Sequence, residues 1–188
     1  MNGLIATFFS KFQSLLNKGI QQKGQMLFRQ NQESSIHNSF RLGNSNYLDI
    51  SPDAHFQIAE GVTINESNNI AVKKGGQLII GKDTYITRTT IAVLERVEIG
   101  ENCILGEGLK IFDHNHEYTT EPFSVSKTEF NTAPVKLGNN VWTGANCIIL
   151  KGVTIGDNVI LGAGCIIHKD VPANSVVFAN QELVIKEL

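Results

Sequence analysis

The sequence predicts an all-β solenoid, with a helical segment ahead of it and one loop thrown out of it. Three observations carry this: an apolar rhythm with a period of six, turn residues at fixed places within each six, and one interruption of the rhythm between Ile111 and Leu137.

The helical segment comes first. In "MNGLIATFFSKFQSLLNKGIQQKGQMLFRQ" the residues Leu4, Ile5, Phe8, Phe9, Phe12, Leu15 and Leu16 share one face of an amphipathic helix. Lys11 and Lys18 interrupt the apolar run, so the segment does not read as an export signal, and no stretch is long enough to span a bilayer. The apolar face is expected either to pack on its own domain or oligomer, or to attach residues 4–16 to a membrane surface or a partner complex.

The rhythm follows. Cut from Leu137, the chain reads LGNNVW, TGANCI, ILKGVT, IGDNVI, LGAGCI, IHKDVP. First positions hold Leu137, Thr143, Ile149, Ile155, Leu161 and Ile167; fifth positions hold Val141, Cys147, Val153, Val159, Cys165 and Val171. Gly138, Gly144, Gly156 and Gly162 follow first-position residues, and Asn or Asp clusters at the third and fourth places, as tight corners require. A period of 3.6 cannot hold this register, so each hexad is a short strand plus a turn.

Upstream, Ile99, Leu105 and Ile111 keep the phase, Ile80 and Ile86 run one residue out of step, and Ile58, Ile64 and Ile70 are fainter still. The expected organisation is a helical or irregular segment over 1–50, the solenoid over 51–180 and a tail over 181–188. The insertion, placed at 117–136, is polar, contains Pro122 and Pro134, and carries no hexads. Long excursions from a rigid scaffold tend to carry function. At its root, in "IFDHNHEY", stand two of the chain's five histidines beside Asp113.

Composition narrows the partners. With a net charge of −2 and scattered Lys and Arg, the chain has no basic stripe of the kind that tracks nucleic acid. Its three cysteines, Cys103, Cys147 and Cys165, form no CxxC pair and sit where small hydrophobes serve, as buried thiols in a reducing compartment do.

Hexads such as "IGDNVI LGAGCI", ending in "HKDVPANSVV", resemble those of the hexapeptide-repeat acyltransferases over about residues 55–180. The resemblance is closest to sugar O-acetyltransferases of the galactoside, maltose and surface-polysaccharide type. It implies a left-handed parallel β-helix with three hexads per coil, a homotrimer with its active site between adjacent subunits, and transfer of acetyl from acetyl-CoA to a saccharide hydroxyl by direct attack, with no metal required. The hand rests on the resemblance alone, because parallel crossovers are otherwise right-handed in about 98% of cases.

Such a transfer needs a base for the hydroxyl proton, a task that neutral imidazole suits. By resemblance the base takes the last place of the hexad before the loop, which is His116. His114 is the alternative, since a loop root can shift by two residues. Asp113 is expected to orient an imidazole or hold the acceptor, Trp142 to stand beside the acetyl donor, Ala163 and Lys169 to contact coenzyme A, and Arg88 to contact the acceptor. Two departures from the family pattern are His168, where a small polar residue is usual, and the ending "FANQELVIKEL", in which the phosphate contacts of basic residues either fall to Lys186 or are missing.

Other readings of the same residues are a zinc enzyme of the γ-class carbonic anhydrase type with His114 and His116 as two of its ligands, a non-catalytic solenoid, and an acetyltransferase for an antibiotic or other small acceptor. A helical start without an export signal suits a cytoplasmic enzyme that modifies surface-polysaccharide precursors at the inner face of the membrane.

Overall fold

The computed structural model describes residues 2–29 and 33–180. Short strands line three faces, and each pairs in parallel with the strands one coil away. The first face runs through Ser35–Ile36, His55–Ile58, Gln77–Ile80, Arg96–Ile99, Val135–Leu137 and Thr154–Ile155. The second runs through Arg41–Leu42, Thr63–Ile64, Tyr85–Ile86, Ile104–Leu105, Trp142–Thr143, Ile160–Leu161 and Val176–Val177. The third runs through Tyr47–Ile50, Asn69–Val72, Thr90–Val93, Lys110–Phe112, Ile148–Ile149 and Ile166–Ile167. Together they make a left-handed parallel β-helix of about six coils.

The rhythm of six is how each coil fills the core. Leu137, Val141, Thr143, Cys147, Ile149, Val153, Ile155, Val159, Leu161 and Cys165 point inward and are at most 2% exposed. Ile99, Cys103, Leu105, Leu109 and Ile111 continue the same apolar column upward. Each large side chain in it contributes about 1.5–3 kcal/mol by leaving water.

Fourth-place asparagines make the corners between first and second faces. Asn102, Asn140, Asn158 and Asn174 have φ of 53°, 56°, 57° and 57°, a conformation that asparagine tolerates. Their side chains also ladder: Asn140 Nδ2 donates to Asn158 Oδ1 and Asn158 Nδ2 to Asn174 Oδ1, both at 2.9 Å. At the next corner a Cβ on Gly144 would fall 2.6 Å from the Ala163 nitrogen, so only glycine lets the two coils approach.

The solenoid starts one coil before the expected boundary at residue 51. Ser35 pairs with Gln57, Arg41 with Thr63 and Tyr47 with Asn69, so residues 35–50 are a full coil. It escapes the hexad pattern because Ser35 to Gln57 and His55 to Gln77 are each 22 residues, Gln77 to Arg96 is 19, and only Lys136 to Thr154 is 18. The longer coils put four residues rather than two into third-face strands such as Asn69–Val72.

The helix spans Asn2–Phe28. Its last turn closes the open end of the first coil: Phe28 is buried and meets Phe40 and Phe56 edge to face, with ring centroids at 5.6 and 4.8 Å. Further up the apolar face, Phe12, Leu15 and Leu16 are 50%, 68% and 46% exposed. The side chains of Leu4, Ile5, Phe8 and Phe9, and the whole tail 181–188 with Lys186, lie outside the described residues. Among those described, no helix is long and apolar enough to cross a membrane.

Candidate active site at the root of the arm

Val97 pairs with Val135, 38 residues on, where a regular coil takes 18. The surplus, expected as an extruded loop over 117–136, leaves the coil as an antiparallel two-stranded arm, His114–Thr120 with Phe123–Thr132. It leaves the corner between third and first faces. Both its faces are largely exposed, so its strands show no apolar alternation, and its composition reads as loop.

Asp113 anchors the root. It is 0% exposed, and its oxygens accept from the backbone N–H groups of Leu94 (3.0 and 3.1 Å), Glu95 (2.8 Å) and Arg96 (2.9 Å) in the coil above. His114 Nδ1 lies 2.9 Å from Asp113 Oδ1. With Asp113 serving as acceptor throughout, Nδ1 is the donor, and in the neutral ring the lone pair is on Nε2. Asp113 is thus fully buried, with its oxygens on these N–H groups and on the His114 ring.

His116 is held differently. Its Nδ1 is 2.8 Å from the Ser126 carbonyl oxygen. A carbonyl can only accept, so Nδ1 carries the hydrogen and Nε2 of the neutral ring is free to take a proton. Ser126 reaches this position because the strand register shifts between His116 and Tyr118, and its Oγ accepts from the Glu129 N–H at 2.9 Å to make the turn. Phe130, paired across the arm from His116, lies 4.6 Å from that ring and 5.3 Å from the His114 ring. The two histidines, two apart on one strand, therefore share one aromatic neighbour.

The remaining expected residues stand elsewhere in the single chain. Trp142 projects from the second face between Ile104 and Ile160 and is 52% exposed. Ala163 is exposed at the corner between second and third faces of the sixth coil, and Lys169 lines a cleft of about 330 Å³ with Ile166, His168 and Pro172. Arg88 is bound at 2.5 Å to Glu66 and at 3.6 Å to Glu107, coils above and below it, on a different edge from the arm root. Thus Asp113, His114 and His116 are brought together, whereas Trp142, Ala163, Lys169 and Arg88 are not brought to them within one chain.

Sequence reasoning missed Ser126 and Phe130, both in the stretch without hexads. The insertion carries two phenylalanines, Phe123 and Phe130, and nothing in the sequence marks Phe130 as the one beside the histidines. The buried thiols are not nucleophiles in waiting: burial pushes Cys103 and Cys147 up from the ordinary thiol range. On the first face, a hydrogen bond from Arg96 holds the Glu98 carboxyl below its usual value. Among the described residues, no three His, Cys, Asp or Glu side chains gather as a metal site within the chain.

Residues 134–169 match the family described as bacterial transferase hexapeptide (six repeats). A mutant of the N-acyltransferase AntD from Bacillus cereus, solved with dTDP and coenzyme A, superposes with a TM-score of 0.61 at 16% identity, covering 78% of this chain and 79% of that one. A galactoside acetyltransferase in complex with coenzyme A superposes with a TM-score of 0.50 at 25% identity, covering 86% of this chain and 77% of that one. A maltose O-acetyltransferase from Clostridium difficile 630 gives 0.48 at 23% identity, covering 92% and 88%. Residues 134–169 thus carry the hexapeptide repeat, within a chain whose fold is a three-faced left-handed β-helix.

Proposed function

We propose that the chain is an acetyltransferase that moves acetyl from acetyl-CoA to a hydroxyl of a saccharide, with His116 as general base. The observation that carries this is the His116 Nδ1 donor to the Ser126 carbonyl, which leaves Nε2 as the ring's free base in a residue that lines an open cavity of about 780 Å³. The likeness to a galactoside acetyltransferase bound to coenzyme A supports the reaction class.

In this mechanism the acceptor hydroxyl gives its proton to His116 Nε2 as its oxygen attacks the thioester carbonyl. The tetrahedral intermediate then collapses, the C–S bond breaks, and the leaving thiolate takes the proton back from the imidazolium. No side chain is acylated. Asp113 and His114 fix the arm root and Phe130, and with them the angle of the His116 ring.

The donor wall comes from a neighbouring subunit of a homotrimer. Supporting this, Trp142 projects from the second face, away from the corner that bears the arm, and that face carries an outward apolar row of Tyr85, Ile104, Trp142, Ile160 and Val176. The first face is polar by contrast, with Gln77, Arg96, Glu98, Lys136 and Thr154 outward. Ala163 and Lys169 hold coenzyme A along the later coils. The exposed Phe12, Leu15 and Leu16 suit a cytoplasmic enzyme resting on the inner membrane surface, where surface-polysaccharide precursors are modified.

Calorimetric titration with acetyl-CoA tests the reading: saturable binding at one site per chain is expected, and no binding at millimolar donor would overturn it.

A further inference from the structure

We infer that the acceptor is anionic, a saccharide bearing a carboxylate or a phosphate, and that Lys74 and Lys127 bind its charge in the cavity on the early-coil side of the arm. The meaning of this site as an acceptor site rests on the acetyltransferase reading; the anion binding itself does not.

The arm separates two cavities of opposite character. On one side, His116 and Asn115 share a cavity of about 780 Å³ with Glu117 and Glu121 as well as Lys151. On the other, His114 and Phe130 share about 600 Å³ with Lys73, Lys74 and Lys127, and no carboxylate lines it. Lys73 is paired with Asp49, which lies outside that lining. Lys74 and Lys127 have no ion-pair partner among the described residues.

These two ammonium groups come from distant parts of the chain, one at a corner of the second coil and one on the arm, and they converge on one concavity. Like charges drawn together without a counter-ion repel, and an anion between them turns that cost into attraction. A compact ammonium sets no bidentate geometry, so it accepts carboxylate and phosphate alike. The volume fits a mono- or disaccharide. The remaining wall is apolar, with Ala92, Val93, Leu94 and Phe130 offering a surface for the C–H face of a sugar ring.

The position also suits the reaction. His114 lines this cavity, and His116 follows two residues later, about 6–7 Å along the strand and against the same Phe130 ring. A hydroxyl that projects past Phe130 from an anchored sugar reaches His116 Nε2. The coenzyme A phosphates are a poor match for this cavity, because the residues expected to hold the donor, Ala163 and Lys169, are in the sixth coil while Lys74 and Leu94 are at the corners of the second and third.

The test is a titration of the full-length protein with glucuronate, glucose 1-phosphate and glucose, followed through the histidine ring signals by NMR, and repeated on the Lys74→Glu, Lys127→Glu double variant. At least one anion is expected to shift these signals with about tenfold or greater preference over glucose, and the charge reversal to weaken it by about tenfold or more. Preference for glucuronate assigns a carboxylate sugar, and preference for glucose 1-phosphate a sugar phosphate. Equal binding of glucose, no anion binding at millimolar concentration, or an unchanged affinity in the double variant would overturn the inference. Acetyl-CoA titrated into the same samples separates the two ideas. Loss of donor binding with anion selectivity intact would remove the acetyltransferase reading and leave the anion site standing.

Discussion

Asp113 gives all of its hydrogen-bonding capacity to the protein, and its substitution shows the difference between a residue that organises a site and one that acts in it. Asp113→Ala strips the acceptor from three backbone N–H groups at residues 94–96 and from His114 Nδ1. Each buried donor left unpaired costs about 1–3 kcal/mol, so the variant should lose about 3 kcal/mol or more in urea unfolding. A loss under 1 kcal/mol would mean that the corner satisfies itself without the carboxylate. The histidines and Asp113 were legible in the sequence because they end a hexad beside a broken rhythm. Ser126 was not, because its carbonyl reaches His116 only through a register shift inside an arm whose pairing the residue types do not announce.

Among elements, the later coils were the most legible and the earlier ones the least. An 18-residue coil repeats its inward positions in phase, so Leu137 to Val171 could be read directly. Coils of 22 residues move those positions out of phase, and there the apolar pattern alone does not show where one coil ends. Corners were legible for a chemical reason, since a fourth-place Asn supplies both the left-handed backbone and the ladder to the next coil. Asn158→Ala should therefore destabilise by about 1–3 kcal/mol, combining left-handed strain with two lost hydrogen bonds, whereas Asn158→Gly should cost less because only the ladder is lost. Thermal unfolding of the two variants checks the order, and an alanine variant as stable as the glycine one would refute the strain account.

At the scale of the whole molecule, the arm root and Trp142 occupy different edges of one chain, so activity should depend on assembly. Ile104→Glu places a charge in the middle of the outward apolar row of the second face, next to Trp142 and Tyr85. If the proposed trimer forms through this face, sedimentation should show the variant as a monomer, with acetyl transfer lost while circular dichroism keeps the β signature. Full activity from a monomeric variant would show that the site is complete within one chain. The hand of the coil and the trimer came from resemblance rather than from the hexads, whose period specifies a strand and a turn but neither a handedness nor a neighbour.

The most direct measurement is the steady-state release of coenzyme A from acetyl-CoA by the His116→Ala variant in the presence of a saccharide acceptor. The account predicts a fall in kcat of about a hundredfold to ten-thousandfold with the acetyl-CoA Kd unchanged. Turnover equal to that of the native chain would contradict it, and would move the proton transfer away from His116.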